Sequence, residues 1–155
     1  MLTSYEISEL PLSLENVVGR VADPSAGALA AFCGTTRNSF GGKAVDHLEY
    51  EAYRAMAEPV MAEIGMEIAS RWPSVTGIAI AHRTGRVDVG ETSVIVAVSA
   101  PHREAALAAC GWGIDRLKQI LPVWKLEVYA DGEVWRENPP GAAPGEPRTG
   151  GGEPP

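Results

Sequence analysis

Lysine is scarce in this chain. Only Lys43, Lys118 and Lys125 occur, against ten arginines, and two of the three stand close together in Arg116-Leu-Lys118-Gln-Ile-Leu-Pro-Val-Trp-Lys125-Leu-Glu127. Lys118 shares a helical row with Leu107, Gly111 and Ile114, which puts it at the edge of an apolar stripe rather than on the solvated back. Lys125 alternates with Trp124 and Leu126, so it shares a strand face with Val123, Glu127 and Tyr129. Pro122 folds the helix end against the strand start, and the two ammonium groups can converge there. Burial and a neighbouring cation both lower a lysine's pKa, producing a neutral amine usable as base or nucleophile. The plainer alternative is two lysines at the rim of a core with their heads in water.

Two further segments have the chemistry of an anion site. Pro101-His102-Arg103-Glu104 lies where a strand gives way to a helix, and free N–H groups with the helix dipole favour anions there. His102 and Arg103 add donors, although ordinary helix-start polarity with Glu104 as the first-turn acid explains the same residues. Gly34-Thr35-Thr36-Arg37 places an arginine in a loop just past a buried strand, able to clamp a phosphate or to make a surface salt bridge. Other patterns carry nothing. Gly41-Gly42-Lys43 lacks the upstream glycine of a phosphate loop, and Gly111-Trp112-Gly113 lies within a helix. His47, His82 and His102 have no zinc-ligand spacing and there is no Cys-x-x-Cys, so neither metal nor cofactor is expected. His82-Arg83 reads as a structural strand end, and Cys33 and Cys110 as packing residues.

Strand and helix signals alternate around these residues. Gly27–Cys33 reads as a buried strand, 34–42 as a loop, Ala44–Tyr53 as an alternating strand with Leu48, Tyr50 and Ala52 on one face and His47, Glu49 and Glu51 on the other, and Met56–Trp72 as a helix with apolar positions 56, 60, 64 and 68. Pro59 fits that helix only in its first turn. Val75–His82, Arg86–Val89 and Thr92–Ala100 read as strands separated by Gly85 and Gly90. A helix runs from Pro101 to about Ile120 on the line Ala106, Cys110, Ile114, Leu117, Leu121, with Gly111 and Gly113 suggesting close packing on another backbone. Val123–Tyr129 and Val134-Trp135 are strands joined by the Asp131-Gly132 turn. The class is α+β, mostly antiparallel, with two main helices packed on the sheet.

With 155 residues, 45% hydrophobic and 21% charged, the chain is one domain over 1–136. Residues 137–155 hold half of the twelve prolines and no aromatic or β-branched aliphatic residue. That composition predicts a disordered tail. A net charge of −7 speaks against a nucleic-acid-binding surface while leaving room for a small cationic pocket. No apolar run is long enough for a membrane span, and no secretory signal opens the chain. Two isolated cysteines fit a reducing, cytoplasmic setting.

Taken together, FCGTTRNSFGGKAVDHLEYEAYRAMA, AHRTGRVDVGETSVIVAVSAPHREAA, IDRLKQILPVWKLE and the closing DGEVW resemble the large, catalytic subunit of molybdopterin synthase. The resemblance runs from about residue 30 to 135. It implies an α/β-hammerhead type fold and a sulfurtransferase that converts cyclic pyranopterin monophosphate into molybdopterin by inserting two dithiolene sulfurs. The implied partners are a small ubiquitin-like carrier with a C-terminal Gly-Gly thiocarboxylate and a second copy of the chain, as a homodimer within a heterotetramer. It implies Lys118 and Lys125 as the catalytic lysines, and Thr35, Thr36, Arg37, His102, Arg103, Leu126 and Glu127 beside them as the substrate-binding set. Here Glu127 orients Lys125, Leu126 stands where the family has a basic residue, and Thr35-Thr36 replaces a basic–aliphatic pair. A non-catalytic dimeric module binding a phosphorylated pterin or a carrier, or an unrelated phosphoester hydrolase, would use the same pocket; carrier-dependent sulfur incorporation separates the three.

Overall fold

The structure is a computed structural model and describes residues 1–140. In chain order the elements are β1 (Leu2–Ser8), α1 (Leu14–Gly19), β2 (Ala28–Thr35), β3 (Ser39–Phe40), β4 (Lys43–Glu51), α2 (Arg54–Arg71), β5 (Gly77–Arg83), β6 (Gly85–Asp88), β7 (Thr92–Ala100), α3 (Arg103–Ile120), β8 (Trp124–Tyr129) and β9 (Val134–Glu137). They build two sheets. The first has the order β1-β5-β7-β2, antiparallel except for β1 alongside β5. The second has the order β3-β4-β8-β9, with β6 also paired to β4. The mixed α+β class therefore stands, with the short α1 added to the two main helices.

The first sheet is covered on both faces, which explains why β5 and β7 read as almost continuous apolar runs. On one face, Met61, Ile64 and Ile68 of α2 and Ile114 and Leu117 of α3 pack on Ile78, Ile80, Val96 and Val98. On the other, Val17 of α1 and Val21 just after it pack on Ala79, Ala81, Ile95 and Ala97. A smaller core of Val45, Leu48, Tyr129 and Trp135 holds the second sheet. The chain crosses from one sheet to the other at Arg83-Thr84-Gly85, where Gly85 has φ +82°, a left-handed backbone that disfavours any side chain. This crossing puts the end of β5 beside β4.

Several local expectations are corrected. β1 and α1 precede the first element read from the sequence, and Ser39–Phe40 pairs with β4 instead of remaining loop. α2 begins at Arg54, so Pro59 lies past its first turn. Its missing N–H leaves the Ala55 carbonyl without its helical donor, and the exposed ring stands on the outer side. The buried stripe of α2 is Ala57, Met61, Ile64, Gly65 and Ile68, and Met56 is exposed. In β4 the register shifts between Val45 and His47. Such a bulge breaks strict alternation, and His47 is buried, hydrogen-bonded to Asp46 and Glu49. Of the two α3 glycines, only Gly113 serves close packing. A Cβ there would lie 3.2 Å from Ile68 Cδ1 and 3.3 Å from Val96 Cγ1, whereas at Gly111 nothing lies within 4 Å. The 136/137 boundary also moves. Glu137 belongs to β9 and residues 138–140 follow it along a cavity; the rest of the expected tail, 141–155, lies outside the described residues. Among the described residues no helix is long and apolar enough to cross a membrane.

Candidate active site

The corner at Pro122 is tight. Leu121 N–H closes the last turn of α3 on the Leu117 carbonyl at 2.9 Å, and Val123 N–H reaches back to the Leu121 carbonyl at 2.9 Å. A three-residue turn of this kind suits the fixed φ of proline at its centre. The reversal directs α3 straight into β8, and Lys118 and Lys125 line one cavity of about 140 Å³. Tyr50 of β4, His82 of β5 and Ser93 of β7 join them, and Glu137, Asn138, Pro139 and Pro140 also contribute to the lining. A second cavity of about 320 Å³ shares Tyr50 and Lys125 and adds Arg86, Trp124, Leu126 and Arg136. Lys125 thus lies between two adjoining spaces that together reach the size of small-molecule sites, ~300–1,000 Å³.

The two lysines have different surroundings. Lys125 Nζ is 2.9 Å from Glu137 Oε2, its cross-strand partner, and 3.2 Å from Glu127 Oε1, two residues along the same face. Glu127 is buried, and its other oxygen accepts from the Tyr129 hydroxyl at 2.7 Å. Burial alone would push Lys125 down, but the hydrogen bond to Glu137 and the charges of Glu137 and Glu127 outweigh it and hold the ammonium above its ordinary value. The neutral amine expected from burial and a neighbouring cation is therefore not the state of Lys125. The reason is the pair of carboxylates, one of them supplied by the segment assigned to the tail. Lys118 is exposed and makes no ion pair or hydrogen bond among the described residues.

Tyr50 and His82 form the wall between them. Their rings meet edge to face, 5.0 Å apart at 72°. Burial pushes the Tyr50 phenol up, and the Ser93 hydroxyl and Lys125 only partly offset this. His82 is pushed down to about 4 by burial, against the pull of its hydrogen bond to the Arg83 carbonyl, with the Lys118 charge adding to the fall. His82 is thus a wall of the cavity as well as a strand end.

The anion-site residues divide. Arg37 Cζ lies 4.3 Å from the centre of the Phe40 ring, and Lys125 Nζ lies 6.0 Å from the same centre, so Arg37 stands on the lysine side of the molecule. Thr36 is buried and committed to the fold: its N–H donates to the Glu91 carbonyl at 3.1 Å and its carbonyl accepts from Gly90 at 2.8 Å. Thr35 ends β2 and is exposed. Leu126 opens on the second cavity. His102, the N-cap of α3, and Arg103 are exposed. The fifteen residues from Arg103 to Lys118 at 1.5 Å rise separate them by about 22 Å. One chain therefore does not bring His102 and Arg103 to its own lysine pocket. Residues that sequence reasoning passed over, Tyr50, His82, Ser93 and Asn138, complete the wall. The one available signal was a lone histidine closing an otherwise apolar strand. Among the described residues no group of three or more His, Cys, Asp or Glu side chains is placed to hold a metal ion.

The family described as MoaE protein matches residues 7–120. The molybdopterin synthase catalytic subunit of Bacillus subtilis (strain 168) is 46% identical over 131 residues, covering 84% of this chain and 83% of that protein. That of Taeniopygia guttata is 50% identical over 127 residues, covering 82% of each. Among solved structures, molybdopterin synthase from Staphylococcus aureus superposes with a TM-score of 0.81 at 37% identity, covering 86% of this chain and 96% of that one. A complex of subunits 1 and 2 of molybdopterin-converting factor from Helicobacter pylori 26695 shares the fold, with a TM-score of 0.69 at 18% identity over 96% of this chain and 97% of that one.

Proposed function

The chain belongs to the MoaE family, the catalytic subunits of molybdopterin synthase, and from that premise we propose that its paired-lysine cavity is where sulfur enters the pterin. It is the catalytic subunit of the synthase and acts in molybdenum cofactor biosynthesis. The observation that carries the assignment of chemistry is the convergence of Lys118 and Lys125 on one cavity at the Pro122 corner.

In this reading the substrate is cyclic pyranopterin monophosphate, and sulfur arrives as the thiocarboxylate at the C-terminus of a small carrier subunit. Lys125, locked as an ammonium by Glu127 and Glu137, acts as a fixed donor to the anionic groups that develop as the cyclic phosphate opens. Lys118, bound to neither carboxylate, assists the attack of sulfur on the pterin side chain. Arg37 supports the phosphate from the Phe40 side. Each carrier delivers one sulfur, so a half-sulfurated intermediate stays bound between deliveries. His102 and Arg103 serve this pocket only as residues of a second copy. We assign that homodimer to the edge of the sheet at β2, which exposes Leu29 on one face and Phe32 on the other, together with the exposed Leu107 of α3.

The test is reconstitution. The chain, cyclic pyranopterin monophosphate and thiocarboxylated carrier yield molybdopterin, read as its fluorescent oxidation product. The same mixture with carrier ending in an ordinary carboxylate yields none. Product formed equally with both carriers would sink the proposal.

A further inference from the structure

We infer that His82 is a positioning residue, its Nε2 accepting the hydrogen bond that aims the Lys118 amine into the cavity when the pterin is bound. The inference rests on the reading above, in which Lys118 works on the pterin.

Geometry carries it. His82 is 5% exposed and lines the same cavity as Lys118. Its Nδ1 lies 2.8 Å from the Arg83 carbonyl oxygen. A carbonyl only accepts, so Nδ1 carries the proton and Nε2 is left as the lone-pair nitrogen. That nitrogen makes no hydrogen bond among the described residues. The edge-to-face contact with Tyr50 fixes the ring plane. Lys118 is the charged group near enough to bear on His82, and the imidazole stays uncharged at neutral pH because burial disfavours its cation.

Two other acceptors lining the cavity are already engaged. Glu137 is engaged by Lys125. The Ser93 hydroxyl donates to the Gly34 carbonyl and stands beside the Tyr50 phenol. Asn138 also lines the cavity, and its buried Oδ1 has no hydrogen-bond partner among the described residues, but it follows directly on Glu137, which Lys125 holds, whereas His82 is the residue on which the Lys118 charge bears. A carboxylate facing Lys118 would lock it as an ammonium, as happens at Lys125. A neutral imidazole orients the amine without adding charge, so the two lysines are set to different tasks by different acceptors.

The experiment uses the full chain in the reconstituted reaction. His82→Asn keeps a donor for the Arg83 carbonyl but places nothing at the Nε2 position, whereas His82→Gln places an amide there. The expected result is that His82→Asn lowers kcat by about tenfold or more, the scale of one lost hydrogen bond in the transition state, with KM for the pterin within about twofold. His82→Gln recovers to within about threefold of wild type, and in a Lys118→Ala background His82→Asn causes no further loss. Equal activity of the Asn and Gln variants, or a loss confined to KM, would overturn the inference, because a residue that only supports the fold does not distinguish the two amides. Circular dichroism and thermal melting establish folding. If His82→Asn does not fold, His82→Phe, which fills the ring space against Tyr50 without an acceptor, takes its place with the same outcomes. Absence of product from the wild-type chain with its carrier would overturn the synthase reading and this inference together, whereas wild-type product with indistinguishable amide variants would overturn this inference alone.

Discussion

Lys125 is placed to act in both catalysis and folding, and the two roles can be separated. Replacing it by Met keeps the stem and removes the ammonium. Glu137 then loses a partner at little cost, because its side chain is 59% exposed and rehydrates. Glu127 is 4% exposed and keeps only the Tyr129 hydroxyl at 2.7 Å. Removing one member of a fully buried pair costs ~3–5 kcal/mol. With the tyrosine bond retained and Lys125 a quarter exposed, about 2–3 kcal/mol is expected, a fall in Tm of roughly 5–10 °C for a chain this size. Adding Glu127→Gln removes the stranded charge but leaves an acceptor for Tyr129. The double variant should therefore be about 1–2 kcal/mol more stable than Lys125→Met alone. Urea unfolding of the four proteins of the cycle measures this. The sign with pH follows from a lysine held above its ordinary value: the stabilisation is complete below the unfolded pKa of about 10.4 and disappears as pH rises through the folded one. The gap between wild type and Lys125→Met is thus full at pH 7 and closes in strong alkali. Molybdopterin formation should stay lost in the double variant although its stability returns. A Lys125→Met protein as stable as wild type, or no relief on adding Glu127→Gln, would refute the reasoning.

Three other outcomes are expected. Lys118→Ala, at an exposed side chain with no ion pair or hydrogen bond among the described residues, changes stability by less than about 0.5 kcal/mol in urea titration, yet lowers product formation by about two orders of magnitude or more, within the ~10²–10⁴ that one acid–base group supplies. His82, pushed down to about 4, binds a proton more readily unfolded than folded. The native state therefore loses about 2–3 kcal/mol as pH falls from ~6.5 to ~4, and the His82→Gln variant lacks that limb; identical acid unfolding curves would contradict this. Its charged and titratable neighbours lining the cavity, Tyr50, Lys118, Lys125 and Glu137, are unchanged in that comparison. Gly65→Ala drives a methyl into the Tyr5 hydroxyl and ring. It should destabilise by about 1–3 kcal/mol through overpacking, which thermal melting would show.

The site was legible wherever it depended on one local stretch of chain. Lys118, Pro122 and Lys125 lie within eight residues, so helix row, corner and strand face were enough to bring both lysines to one cavity. Period and breakers likewise showed α2, α3 and the strands β4 to β8 to within a few residues. What escaped depended on pairing between distant segments. Tyr50, His82 and Ser93 stand on three strands whose order no periodicity reveals. Glu137 looked like tail because its neighbours are prolines, and only its register opposite Lys125 gives it a role. That pairing also reversed the expected state of Lys125, since burial lowers a lysine only where no carboxylate is buried with it. The β4 bulge hid His47 for the same reason: alternation predicts faces only while the register holds. His102 and Arg103 matched the family's pattern, but a helix of this length separates them from the lysines of their own chain.

The most direct test of the account is single-turnover sulfur transfer with purified chain, cyclic pyranopterin monophosphate and thiocarboxylated carrier, comparing wild type with Lys118→Ala and with Lys125→Met/Glu127→Gln. The account predicts molybdopterin from the wild-type chain and almost none from either folded variant. Product at the wild-type rate from both would contradict the claim that this lysine pair does the chemistry.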